Sequence, residues 1–274
     1  GFLNERYSKN MGREIIDERL VGALHLRALT RKGLAHDPVE EKTVYQASTL
    51  AALMEGRFAG DLTLGELLTK GDLGLGTVSG LGGELVILDG VAWLIDAEGK
   101  VHRPPLDTTT PFAVVTPFRC DASFPVKEPL ALGTLIRRID DFLGDPTAIV
   151  AVRLRGRFEE VGVRSVRAQQ PPYPSLLEVT AHQTEWELPE ASGTVVGFRF
   201  PDTMASLDVP GYHLHFLGEN KDCGGHVFAL TLVEGLVELH LEDTLHVELP
   251  AAVGLGEPGV ADRAGIRQAE GKQE

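Results

Sequence analysis

Cysteine is nearly absent from the 274 residues: only Cys120 and Cys223 occur, too few for a disulfide framework, and a reducing cytoplasm suits that usage. Basic residues are also in short supply. With 26 Lys and Arg against 40 Asp and Glu, the formal net charge of -14 repels a phosphate backbone, and no basic stripe carries interleaved aromatics. Nucleic acid is therefore not an expected partner. No run of about 18 uncharged apolar residues occurs, so no helix is expected to span a membrane. The first residues, Gly1-Phe2-Leu3-Asn4-Glu5-Arg6-Tyr7, lack the charged and apolar regions of a secretory leader, although a cleaved leader would leave no trace. A phosphate loop is missing too: no GKS or GKT follows the glycines, and no GxGxxG opens a helix after a strand. Internal repeats and low-complexity stretches are absent as well.

The length suits one large domain or two small ones. Ile16, Leu20, Leu24 and Leu29 recur near helical spacing, with Asp17 and Glu18 early and Arg31-Lys32-Gly33 at the close, which predicts an amphipathic helix over residues 1–34. Tyr45-Gln46-Ala47 predicts a strand, Ser48 or Thr49 a helix cap, and Thr63 with Glu66 the start of a second helix. Six glycines between Gly71 and Gly83 lead into Glu84–Leu88 and, after Asp89-Gly90, Val91–Ile95, a hairpin pattern. Phe112–Val115 reads as a strand. Leu135, Ile136, Ile139 and Leu143 make one stripe of a helix over 132–143. Strands are then expected over 148–154, 157–166 and 195–200, with the Pro171-Pro172-Tyr173-Pro174 turn between them. Helices early and strands late predict an α+β fold, a mixed-sheet N-terminal part packed on a mainly antiparallel β C-terminal part. The expected divisions are a helical extension over 1–40, a mixed part over 41–150 and a β-rich part with a C-terminal tail over 151–274.

The segment most suggestive of chemistry runs from Gly211 to Phe228. Alternation along a strand points His213 and His215 to one face and Tyr212, Leu214 and Phe216 to the other. Gly218–Gly225 is a turn signal, and an antiparallel return sets His226 nearly opposite His215 on the same face. Three neutral imidazoles with an open fourth position can hold a catalytic zinc, whereas unconnected surface or core histidines are the plain alternative. Cys223, in the turn, is either a fourth ligand or only a small turn residue. A second pattern competes: a turn at Asp243-Thr244 would set His240 opposite His246 and Glu238 opposite Glu248. Its regular alternation favours the wet face of a half-buried sheet. His25, His36, His102 and His182 stand alone.

These motifs together resemble the acetolactate decarboxylase family over about residues 43–250. The resemblance is carried by Tyr45-Gln46 through Ser48-Thr49, Gly71-Asp72-Leu73-Gly74-Leu75-Gly76-Thr77, Gly83-Glu84-Leu85 with Asp89-Gly90, and Pro111-Phe112-Ala113. It continues through Arg164-Ser165-Val166 with Gln169 and Pro172-Tyr173, Gly193–Phe198, Gly211–Phe216 and Gly224-Gly225-His226. It implies conversion of 2-acetolactate to acetoin and carbon dioxide on a Zn2+ held by His213, His215 and His226, with a homodimer as the assembly. It also implies a catalytic arginine at Arg164, a glutamate at Glu84 that protonates the enediolate, and a second glutamate near the C-terminus. Glu270 is the nearest candidate for the latter, with Glu257 and Glu274 as competitors. From the residues alone, Arg164 could equally form a strand salt bridge and Glu84 could face water. Two other classes remain open at this point. His213-Leu214-His215 followed by Glu219 matches half of a cupin metal motif, and a closed site with Cys223 would suit a non-catalytic metal-stabilised binding module.

Overall fold

The computed structural model describes residues 25–29, 40–249 and 263–270. In chain order the first elements are β1 (His25–Leu29), β2 (Thr43–Ala47), helix α1 (Leu50–Met54), β3 (Leu62–Thr63) and helix α2 (Leu64–Leu68). Next come β4 (Leu73–Gly76), β5 (Glu84–Leu88), β6 (Val91–Ile95), β7 (Val101–His102), β8 (Thr109–Thr110) and β9 (Ala113–Thr116). β10 (Ala122–Val126), β11 (Leu130–Ala131), helix α3 (Leu132–Leu143) and β12 (Ile149–Ser165) follow. The remainder is helix α4 (Leu176–Thr180), β13 (Thr184–Pro189), β14 (Ser192–Phe200), β15 (Gly211–Gly218), β16 (Gly224–Glu242), β17 (Thr244–Glu248) and helix α5 (Arg263–Glu270).

Local chemistry starts the helices where the sequence predicts. Thr49 accepts the Ala52 amide at the head of α1, and Thr63 and Glu66 form a reciprocal capping box on α2. Helix α3 spans the predicted residues, ends on left-handed Gly144, and buries Leu132, Leu135 and Ile139 against the second sheet's core.

An eight-stranded mixed sheet has the order β1-β17-β2-β9-β4-β5-β6-β7, and a second sheet runs β10-β16-β15-β14-β12-β13 with β11 also on β16. β12 pairs with β14 on one side and β16 on the other, while β15 lies between β14 and β16, so these four strands close a ring. The fold class is α+β as expected, with strand predominating. Large apolar residues from both sheets, among them Val86, Ile95, Phe198 and Leu217, share one core between the layers.

Three expectations change. Residues 25–29, expected at the end of a helix, form β1, which pairs in parallel with β17 from His25↔Thr244 to Leu29↔Glu248. Pairing along β17 satisfies the backbone groups that face it at every step of the strand, whereas a single helical turn closes almost none of its own. The rest of the expected N-terminal helix lies outside the described residues. The two strands expected over 148–154 and 157–166 are one 17-residue strand, β12, because Gly156 stays in the ladder opposite Gly235 and Gly193. The second histidine hairpin does not form. β16 and β17 belong to different sheets, since the Asp243 and Thr244 amides both donate to the Lys42 carbonyl and steer the chain into a parallel ladder beside β2. His240, His246 and Glu248 are consequently buried rather than wet. Both sheets draw on residues from either side of position 150, β10 joining the second and β17 the first, with the fold class unchanged.

Candidate active site

The three histidines of the β15–β16 hairpin converge as the alternation requires. His215 pairs directly with His226, and His213 lies two residues back on the same face. Next across the sheet, His226 pairs with Arg164 of β12, and Arg164 with Glu185 of β13. Directly opposed residues in antiparallel strands share a face, so Glu185, Arg164, His226 and His215 form one polar row across four strands. The first sheet covers this row: the Leu85 carbonyl of β5 accepts from His215 Nδ1 at 2.8 Å. All three imidazoles are buried, and their ligating nitrogens lie within 4.8 Å of one another.

Hydrogen-bond partners settle where the lone pairs are. A carbonyl only accepts, so His215 Nδ1 carries its proton and Nε2 is left as a base. Arginine only donates, so its contact of 3.1 Å from Nη2 makes His226 Nε2 an acceptor. Burial, and then the Arg164 charge, push the His213 imidazole down to about 3. His215 is also held well below the usual histidine range, by burial first and by His213 and Arg164 as well, against the opposing pull of the Leu85 carbonyl. His215 Nε2 meets His213 Nε2 at 3.2 Å and Glu84 Oε2 at 3.2 Å. A neutral set of nitrogen bases facing one another beside a carboxylate fits a bound divalent cation.

Glu84 reaches the histidines from the other sheet. Gly83 makes this possible: at φ +125°, its missing Cβ would sit 2.5 Å from the Ile95 carbonyl oxygen, so only glycine lets β5 begin this close to the end of β6. A cavity of about 60 Å3 joins the parts. Its polar wall includes the three histidines, Glu84, Arg164, Thr77, Thr180 and Gln183, and its apolar wall includes Leu50, Leu81, Phe112, Leu176 and Val209. Ala269 of α5 lines it too; Glu270 ends that helix, and its side chain, like Glu257 and Glu274, lies outside the described residues. Gln183 and the apolar wall were not legible in the sequence, because no periodic or motif signal marks a single residue between α4 and β13. The one available cue was that Gln183 and Glu185 lie two residues apart at the start of a strand, Gln183 just before β13 and Glu185 within it.

Cys223 and Glu219 are not brought to the centre. Among the described residues the only metal-capable group of three or more is the histidine trio. Burial, with Asp222 beside it, raises the Cys223 thiol to about 11. The second histidine pattern also makes no such group: His240 Nδ1 contacts Asp121 at 3.0 Å, and Glu238 is held by two 2.8 Å bonds from Arg153.

Neutral imidazoles, an arginine and a carboxylate around one cavity define the class: an enzyme whose site can hold a single metal ion through three histidines. A model of the alpha-acetolactate decarboxylase family matches residues 44–255. The alpha-acetolactate decarboxylase of Methylococcus capsulatus is 37% identical over 237 residues, covering 86% of this chain and 90% of that protein. That of Methanosarcina mazei is 39% identical over 209 residues, covering 76% and 73%. The crystal structure of alpha-acetolactate decarboxylase from Bacillus subtilis strain 168 superposes with a TM-score of 0.80 at 30% identity, covering 84% of this chain and all of that one. The chain belongs to the alpha-acetolactate decarboxylase family and is a carboxy-lyase.

Proposed function

We propose that the protein converts 2-acetolactate to acetoin and carbon dioxide, with a zinc ion held by His213, His215 and His226. The observation that carries this reading is the convergence of three neutral, buried nitrogen bases beside Arg164 in one cavity, in a chain of this family. When bound, zinc supplies Lewis acidity toward the keto and hydroxyl oxygens of such a substrate.

The remaining chemistry belongs to the chain. Arg164 presents a fixed fork of donors to the substrate carboxylate and keeps its plane defined, which an ammonium could not do. The apolar wall strips water from the carboxylate, which favours its loss as neutral carbon dioxide. Departure of carbon dioxide leaves an electron pair on the carbon that bore it, and one proton must be returned there. Glu84, its side chain 14% exposed, is the group assigned to deliver that proton. Glu270 is the second carboxylate of this reading, on the helix that brings Ala269 to the cavity. The same reading makes the protein a cytoplasmic homodimer.

Elemental analysis of the purified protein, run beside an acetoin assay with racemic acetolactate, tests the proposal. About one zinc per chain and acetoin formation, both lost on chelation and both absent from His226→Ala, are expected. Metal without acetoin would sink the decarboxylase reading; no metal would sink the histidine site.

A further inference from the structure

We propose that Ser165 is a positioning residue that sets Glu84 against the histidine centre. Its Oγ donates to the Ile95 carbonyl at 3.1 Å, and the residue is fully buried. Ser165 ends β12 in the second sheet, whereas Ile95 ends β6 in the first. The bond therefore crosses between the layers. Ile95 is also the direct ladder partner of Glu84, the first residue of β5. A hydroxyl on the histidine-bearing sheet thus holds the strand end against which Glu84 is paired.

Neighbouring contacts show what this bond adds. Thr77 Oγ1 donates to the Gly83 carbonyl at 2.7 Å, but Thr77 directly follows β4, so that bond fixes Glu84 only within its own sheet. Between the layers, the Leu85 carbonyl accepts from His215 Nδ1 on one side of Glu84. Ser165 adds a hydrogen bond on the opposite side, at Ile95, whose side chain also meets the start of β16: a Cβ on Gly224 would lie 3.1 Å from Ile95 Cγ1. One such bond leaves the end of the β5–β6 hairpin able to pivot, and two on different strands define its approach. What they place is Glu84 Oε2, 3.2 Å from His215 Nε2. Ser165 does not line the cavity, so it acts on the reaction only through what it holds. The inference rests on the decarboxylase reading, in which Glu84 returns a proton to the carbon that loses carbon dioxide. That carbon is planar at this stage and becomes a stereocentre on protonation. A donor fixed on one side yields one enantiomer of acetoin, whereas a displaced donor lets solvent protonate either face.

The test compares the zinc-loaded wild type with Ser165→Ala, Glu84→Gln and the double variant. Zinc content, thermal midpoint, kcat and KM for acetolactate, and the enantiomeric composition of the acetoin are read. Ser165→Ala should lower kcat by about 10- to 100-fold with KM within about threefold of wild type and zinc content unchanged. Its acetoin should shift toward the racemate. In the Glu84→Gln background the same substitution should cost less than about threefold more, since the group it positions is already gone. Hydrogen exchange, read on the metal-free protein as well, should quicken in peptides covering residues 84–96. Losses in kcat that simply multiply in the double variant would overturn the assignment, and so would wild-type kcat and enantiomeric composition in Ser165→Ala. A rise in KM alone would move the effect to the adjacent Arg164, and loss of zinc or a collapsed melt would mark a merely structural role; either sinks the proposal. Failure of the underlying reading shows differently: Glu84→Gln would keep wild-type kcat, or the unsubstituted protein would make no acetoin.

Discussion

Glu242, at the last position of β16, should make folding stability depend on pH. Its side chain is fully enclosed where the chain passes from one sheet to the other, with His240 Nε2 3.6 Å from Oε1. Burial raises its carboxyl from 4.5 to about 8; the Thr116 hydroxyl and Lys42 oppose the rise, and Asp243 and Asp121 add to it. His240 is itself lowered, by burial first and by Lys42 as well, against the opposing pull of Asp121. In a folded state with a raised carboxyl pKa, the proton is retained after the unfolded chain has released it. The stabilisation is therefore complete below about pH 4.5 and is lost progressively as pH rises to about 8. At about 1.4 kcal/mol per unit, the interval corresponds to about 5 kcal/mol as an upper bound, and side-chain relaxation with water entry reduces it to about 2–3 kcal/mol. Glu242→Gln keeps the shape and removes the titration. Urea unfolding of both proteins at pH 5 to 9, with metal chelated throughout, isolates the term as the difference between them at each pH. The variant should gain on wild type by about 2 kcal/mol or more from the acid to the alkaline end. A difference that stays flat within about 0.5 kcal/mol would refute the reasoning.

Arg164→Lys should retain the metal yet lose about 100-fold in kcat/KM, since an ammonium cannot reproduce the fork; zinc analysis with steady-state kinetics checks it. Cys223→Ser should keep both zinc and activity, as the thiol lies outside the histidine group, and metal loss in that variant would restore the closed-site alternative. Gly197→Ala should destabilise the fold by about 2 kcal/mol or more, because the added Cβ would lie 2.2 Å from the His213 carbonyl oxygen within the ladder. Thermal melts measure that loss, and lowered zinc affinity should accompany it because the displaced strand carries two of the histidines.

The sequence by itself determined whatever depends on near neighbours. Alternation placed His213 and His215 on one face, the turn at Gly218–Gly225 returned His226 beside them, and capping chemistry started α1 and α2. These are local because a strand's period, a tight turn and a helix cap each involve only a few consecutive residues. Arg164 and Glu84 were legible only through family resemblance: nothing in their own neighbourhood distinguishes a cavity residue from a surface one. Tertiary structure alone decided which sheet edge each strand would join. A strand pattern specifies a face but not a partner, so the regular alternation of 237–249 suggested a hairpin, and competition for β2's open edge drew β17 into the other sheet. The same non-local pairing set Arg164 beside His226, brought the Leu85 carbonyl to His215 across 130 positions of sequence, and put Gln183 between Arg164 and Glu185. The histidines were written in the strand; the burial that holds His213 and His215 neutral, well below the usual histidine range, came only when a second sheet covered them.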